Sequence, residues 1–171
     1  MVSIREIRAA PVINPTHLGL QPSRPAGWLS EGDSQNPLSR YAATQGWADR
    51  TRPTWPDTVC VVTADDGTWG LGITPHAGPV VPLINDYFGP LLRDEIATET
   101  ERLWDLMARS SAAHFGASGI ASCAMSAVDL ALWDLRGKLH HAPIYELIGG
   151  PVRDVIRCYA TGNDVNSYLD H

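Results

Sequence analysis

The chain has 171 residues, 44% of them hydrophobic and 19% charged, and its 13 basic and 19 acidic residues give a formal net charge of −6. That length is enough to bury a core and is about one domain. The acidic balance, without any basic run, argues against a nucleic-acid partner. No stretch approaches the roughly 18 apolar residues of a membrane span, and the opening MVSIREIRAA has no apolar signal core, so the expected setting is cytoplasmic with no membrane partner. Cys60, Cys123 and Cys158 each lie in an apolar run and are expected to be reduced and buried. Neither a Cys-x-x-Cys nor a His-Cys cluster points to zinc.

Residues 2–12 read as a first strand, with Arg5, Glu6 and Arg8 suited to an edge. Residues 14–56 change character. Six prolines and four glycines interrupt them, while Trp28, Trp47 and Trp55 argue against simple disorder. A surface loop pinned by its aromatics and a lid over a pocket both fit. Residues 57–64 are a second strand, Asp65-Asp66-Gly67-Thr68 a hairpin turn, and residues 69–73 a third strand. Gly70 and Gly72 in that third strand signal a close backbone approach or a bulge. Three strands in this order make an antiparallel meander.

The remainder is helical. Residues 79–88 have helical spacing and are expected to stop at Gly89-Pro90. Thr98-Glu99-Thr100-Glu101 reads as a capping box opening the next helix. The dominant stretch is 119–150, in which Ile120, Cys123, Ala124, Ala127, Val128, Ala131 and Leu135 form one stripe. Leu130, Leu132 and Leu139 widen it to an arc of roughly 200°, where one contact surface needs about 100°. Such a helix is expected to be buried on two sides. Asp134 falls inside the stripe with Lys138 four residues on, the favourable order for a structural ion pair. Catalytic use of Asp134 is the alternative. Ala142-Pro143 stops the helix, and residues 145–148 make a short further turn before Gly149-Gly150. The fold class is α+β: a three-stranded antiparallel meander followed by a helical bundle.

The run SAVDLALWDLRGK, then APIYELIGG, then PVRDVIRCYATG resembles the junction of the enolase superfamily, mandelate racemase/muconate lactonizing branch. There the last helix of an N-terminal capping domain leads into the first strand of a (β/α)8 barrel. YATG, with Pro37-Leu38-Ser39-Arg40-Tyr41 upstream, is most similar to the acid-sugar dehydratases of the L-rhamnonate type. The resemblance implies a capping domain over 1–150 and the start of a barrel over 151–171, its first strand at 155–160. It also implies Mg²⁺-dependent abstraction of a proton α to a carboxylate, followed by loss of a β-hydroxyl. The family's metal ligands and acid/base groups lie in the barrel, for which about 250 residues are needed. The expectation is therefore no catalytic residue and no metal ligand in this chain.

In the family two cap loops help to choose the substrate, and by position these are 14–36 and 37–56 here. The resemblance implies a histidine in the first and an arginine in the second. His17 is the histidine available, at an offset that departs from the family pattern. Arg50 and Arg52 are the arginines, both left open, with Arg50 marginally better placed. A guanidinium suits a substrate carboxylate; each of the three is otherwise a solvated surface group. Expected partners are a sugar acid, a barrel polypeptide encoded separately or deleted, and further copies of the chain, since an uncovered strand edge and helix face promote association. The alternative function is a free-standing cap, a non-catalytic binding or dimerisation module. Asp65-Asp66 in the hairpin, and Asp164 with His171, are too few for a site.

Overall fold

The computed structural model describes residues 1–12, 55–116 and 118–158. The chain divides into one unit of Met1–Asn14 with Trp55–Val152 and another of Pro15–Thr54 with Arg153–His171. All the strands and helices below belong to the first.

Three strands, β1 (Ile4–Val12), β2 (Asp57–Ala64) and β3 (Trp69–Thr74), form an antiparallel sheet in the order β1-β2-β3. The period-2 alternation sends Ile4, Ile7 and Ala9 of β1, and Cys60, Val62 and Ala64 of β2, into the core. A register shift between Ile4 and Glu6 keeps β1 in phase with β2. The β2–β3 hairpin closes as its Asp-Gly turn predicts: Gly67 has φ 91°, and Thr68 N–H donates to Asp66 Oδ1 at 2.8 Å.

Helical structure runs from Ala77 to Leu92 in three pieces: α1 (Ala77–Leu83), a π-helical turn (Ile84–Phe88) and α2 (Gly89–Leu92). The expected stop at Gly89-Pro90 does not occur. The wider π turn lets Pro90 start a fresh helical turn, where its missing N–H needs no partner. A side chain at Gly89 would press on the Ile7 carbonyl at 3.3 Å. The chain leaves helix only at Arg93, which is extended, and Asp94, at φ 66°.

The next helix, α3 (Thr100–His114), begins after Glu99 with no side-chain cap. The expected capping box is not formed. Glu95 and Glu99 pair instead with Arg102, and Thr100 Oγ1 accepts from Arg136 at 2.7 Å. Charged partners thus tie this helix start down in place of the reciprocal Thr–Glu bonds.

The dominant stretch forms α4 (Ile120–His140). It ends where the sequence indicates: His141 is left-handed at φ 51°, and Ala142 N–H donates to Gly137 O at 3.0 Å just before Pro143. A four-residue helix, α5 (Ile144–Leu147), follows. The helix α4 packs on β2 and β3 on one side and on α1 and α3 on others. Ala124, Ala127, Val128, Ala131, Leu132 and Leu135 are all fully buried there. Leu130, expected to widen the stripe, is 49% exposed. The covered arc is therefore narrower than expected, and the chain itself covers it.

Residues 151–158 form no strand, and Val152, Val155 and Ile156 are exposed. A β-strand exists only against a hydrogen-bonded neighbour, and the described part of 155–160 has none among the described residues. Of the three thiols expected to be buried, only Cys60 is; Cys123 is half-buried and Cys158 exposed.

Candidate functional site

Among the described glycines, those with the least room are in β3, where the strand meets α4. Gly70 and Gly72 face the helix so closely that a Cβ at Gly72 would lie 1.9 Å from Ala127 O, and one at Gly70 2.0 Å from Ala131 O. Close approach, rather than a bulge, is thus what these two glycines serve. With the helix axis drawn onto the strand, two polar side chains of α4 reach the outer edge of β3. Asp134 Oδ2 accepts from Leu71 N–H at 2.8 Å, and Lys138 Nζ donates to Trp69 O at 2.9 Å. The two charges pair at 2.8 Å, and the ammonium lies 3.8 Å from the centre of the Trp69 ring. Asp134 Oδ2 is thus engaged in structure, as the ion-pair reading expects.

Other carboxylates are similarly occupied. Asp65 accepts from Ser3 Oγ at 3.0 Å, which holds its carboxyl below the usual range. Glu6 pairs with Arg8 at 2.6 Å and Asp105 with Arg109 at 2.7 Å. Among the described residues, no group of three or more His, Cys, Asp or Glu could hold a metal ion. The described residues therefore do not fit Mg²⁺. Burial pushes the Cys60 thiol up to about 12, so it is neither nucleophile nor ligand at neutral pH.

Grooves on the described surface of this unit include the following. One of about 510 Å³ runs along β1 past Arg8, Asn85, Pro90 and Arg93. A more apolar one of about 600 Å³ lies between Pro79, Pro82, Leu83, Tyr87, Phe115 and Ile120. The third, about 310 Å³, is framed by Trp104 and Ala108 of α3 and by Met125, Ser126 and Asp129 of α4. Burial, and to a lesser extent the nearby Glu101, raises the Asp129 carboxyl above its ordinary value. Asp129 sits in the same VDLALWD run as Asp134, and its spacing from Met125 was the available signal for a groove-facing position.

The residues expected to meet substrate, His17, Arg50 and Arg52, lie outside the described residues, as do Asp164 and His171. No helix among the described residues is long and apolar enough to cross a membrane.

Comparison with known proteins places this unit. The N-terminal domain family of mandelate racemase / muconate lactonizing enzyme matches residues 47–149. An L-rhamnonate dehydratase from Saccharopolyspora erythraea is 41% identical over 103 residues, 60% of this chain and 26% of that protein. The chain thus spans about a quarter of the length of that curated relative. The crystal structure of L-rhamnonate dehydratase from Gibberella zeae superposes with a TM-score of 0.72 at 27% identity, covering 88% of this chain and 35% of that one. A mandelate racemase/muconate lactonizing protein from Paracoccus denitrificans, solved with magnesium, shares the fold at a TM-score of 0.60 and 24% identity, covering 90% of this chain and 32% of that one. The family match, at residues 47–149, extends over more than half of the chain and takes in β2, β3 and the helices through α5. The chain belongs to the mandelate racemase/muconate lactonizing enzyme family of the enolase superfamily, through that family's N-terminal domain.

Proposed function

We propose that residues 1–150 are the capping, substrate-selecting part of an acid-sugar dehydratase, and that residues 151–171 begin its barrel. The observation carrying this reading is the 41% identity over 103 residues to an L-rhamnonate dehydratase. In this reading the reaction takes a proton α to the substrate carboxylate and then expels a β-hydroxyl. Mg²⁺ and the acid/base groups belong to barrel residues, whether these come from the rest of a longer protein or from a separate polypeptide. The cap contributes Arg50 or Arg52, whose planar fork grips the carboxylate, and His17, which faces a hydroxyl. Magnesium is supported by the relative from Paracoccus denitrificans that was solved with it. The setting is cytoplasmic, and the assembled protein is a homo-oligomer.

The test is turnover with and without a barrel. The chain is assayed on a panel of sugar acids with Mg²⁺, alone and mixed with a polypeptide carrying the barrel of a rhamnonate-type dehydratase. The expected result is 2-keto acid formation only in the mixture. Turnover by the chain alone would contradict the division of labour. Tight binding of the barrel without turnover on any sugar acid would favour a non-catalytic binding or dimerisation module.

A further inference from the structure

We infer that Asp134 and Lys138 of α4, with Asn85 of the π turn, are edge guards that close the three-stranded sheet against strand addition by a second copy of the chain. A three-stranded sheet has two outer strands, and each presents unpaired N–H and C=O groups to any passing strand. In this sheet those strands are β1 and β3. At β3 the residues Trp69, Leu71 and Ile73 turn their backbone groups away from β2; among these, Leu71 N–H and Trp69 C=O are the two that a single residue of an added parallel strand would engage. The Asp134 carboxylate takes the first at 2.8 Å and the Lys138 ammonium the second at 2.9 Å. The pair reproduces the acceptor and donor of that absent residue.

At β1 the imitation is of an antiparallel partner, whose residue would exchange both bonds with one residue of the strand. Ala9 N–H donates to Asn85 Oδ1 at 2.7 Å, and Asn85 Nδ2 donates to Ala9 O at 3.0 Å. Further along, Ile4 N–H and C=O are taken by Glu95 O and Asp94 N–H, each at 2.9 Å, and Pro11 has no N–H to offer. Two unrelated devices thus guard the two edges, each by side chains whose polar atoms match backbone geometry.

The reason such guards matter is the outward face beside them. Trp69, Leu71 and Ile73 of β3 are 50%, 39% and 56% exposed, a row of large apolar side chains in which Trp and Ile favour strands. An open edge next to that row would be a template for self-pairing. The helix that buries the inner face also closes this edge, and it can reach it only because Gly70 and Gly72 let its backbone lie against the strand.

The test uses the full chain and three variants. Hydrogen exchange at the Leu71 amide and sedimentation are measured from low to high micromolar concentration. In wild type the Leu71 amide is protected at every concentration. In Asp134→Leu it loses about tenfold or more of that protection when dilute, and regains it as the protein assembles, because the new partner strand takes the bond. Asp134→Asn loses the ion pair but keeps an acceptor for Leu71 N–H, so it behaves as wild type. Asn85→Ala opens the other edge independently and should assemble with fresh protection at Ala9, which covers the case where Asp134→Leu does not fold. Assembly of Asp134→Leu with Leu71 still exchanging freely would show face packing and overturn the inference. So would Asp134→Leu and Asn85→Ala chains that fold and sediment as wild type does.

Discussion

The two long faces of α4 are built on opposite plans. Toward the sheet, the contact is backbone on backbone: Ala127 O and Ala131 O lie where side chains of Gly72 and Gly70 would be. Toward α3 and the solvent, side chains including Trp104, Met125 and Asp129 line a groove of about 310 Å³. The first face has no room to adjust, because neither backbone can move without breaking hydrogen bonds. The second has more room, because Trp104 is about half exposed. Rigidity in this domain is therefore concentrated at the β3–α4 seam, and tolerance lies on the groove side.

The contrast is broken most forcibly at Gly72. Gly72→Val puts a branched side chain into the helix backbone, and with no flexible neighbour to yield it should cost roughly 3 kcal/mol or more. Chemical denaturation would show the loss, and a mutant within about 1 kcal/mol of wild type would mean the seam is looser than its geometry. Next in size is a paired comparison along α4. Leu135→Ala, in the seam, should cost about 2–5 kcal/mol. Leu130→Ala, 49% exposed, should stay within about 0.5 kcal/mol. Equal effects from both would erase the distinction between the two faces.

The smallest effect is expected at Asp129. Its folded pKa is raised by burial and by Glu101, so the folded state binds its proton more tightly than the unfolded chain does. The ionised group therefore opposes folding above the folded pKa, and that penalty fades as pH falls toward the unfolded value. Asp129→Asn should stabilise the domain slightly at pH 7, by less than about 1 kcal/mol, and not at pH 3. Melting curves at the two pH values distinguish this from a simple packing change, which would act at both.

Much of the fold was legible because its signals are local. The alternation of DTVCVVTA, the Asp-Gly turn and the stripe of α4 each specify an element within a dozen residues. What was misread depended on neighbours outside the motif itself. Pro90 looks like a stop until the π turn supplies a new start. The capping box at Thr98 loses to Arg102, which gathers Glu95 and Glu99. Leu130 fits the stripe by angle, yet lies on the side that neither the sheet nor α3 covers. Asp134 and Lys138 were readable as an ion pair from their spacing; that they close a strand edge depends on Gly70 and Gly72, over sixty residues away. The residues proposed to face substrate, His17, Arg50 and Arg52, were legible only by resemblance and lie outside the described residues.

The central claim is that this cap selects a sugar acid through its second loop, and kinetics of the assembled enzyme test it most directly. With a barrel present, kcat/KM for a sugar acid is measured for wild type, Arg50→Ala and Arg52→Ala. A lost charge-assisted hydrogen bond is worth about 1.5–3 kcal/mol, so one of the two should fall by about tenfold or more, with folding intact by circular dichroism. Wild-type values from both variants would contradict the claim and remove this loop from the substrate site.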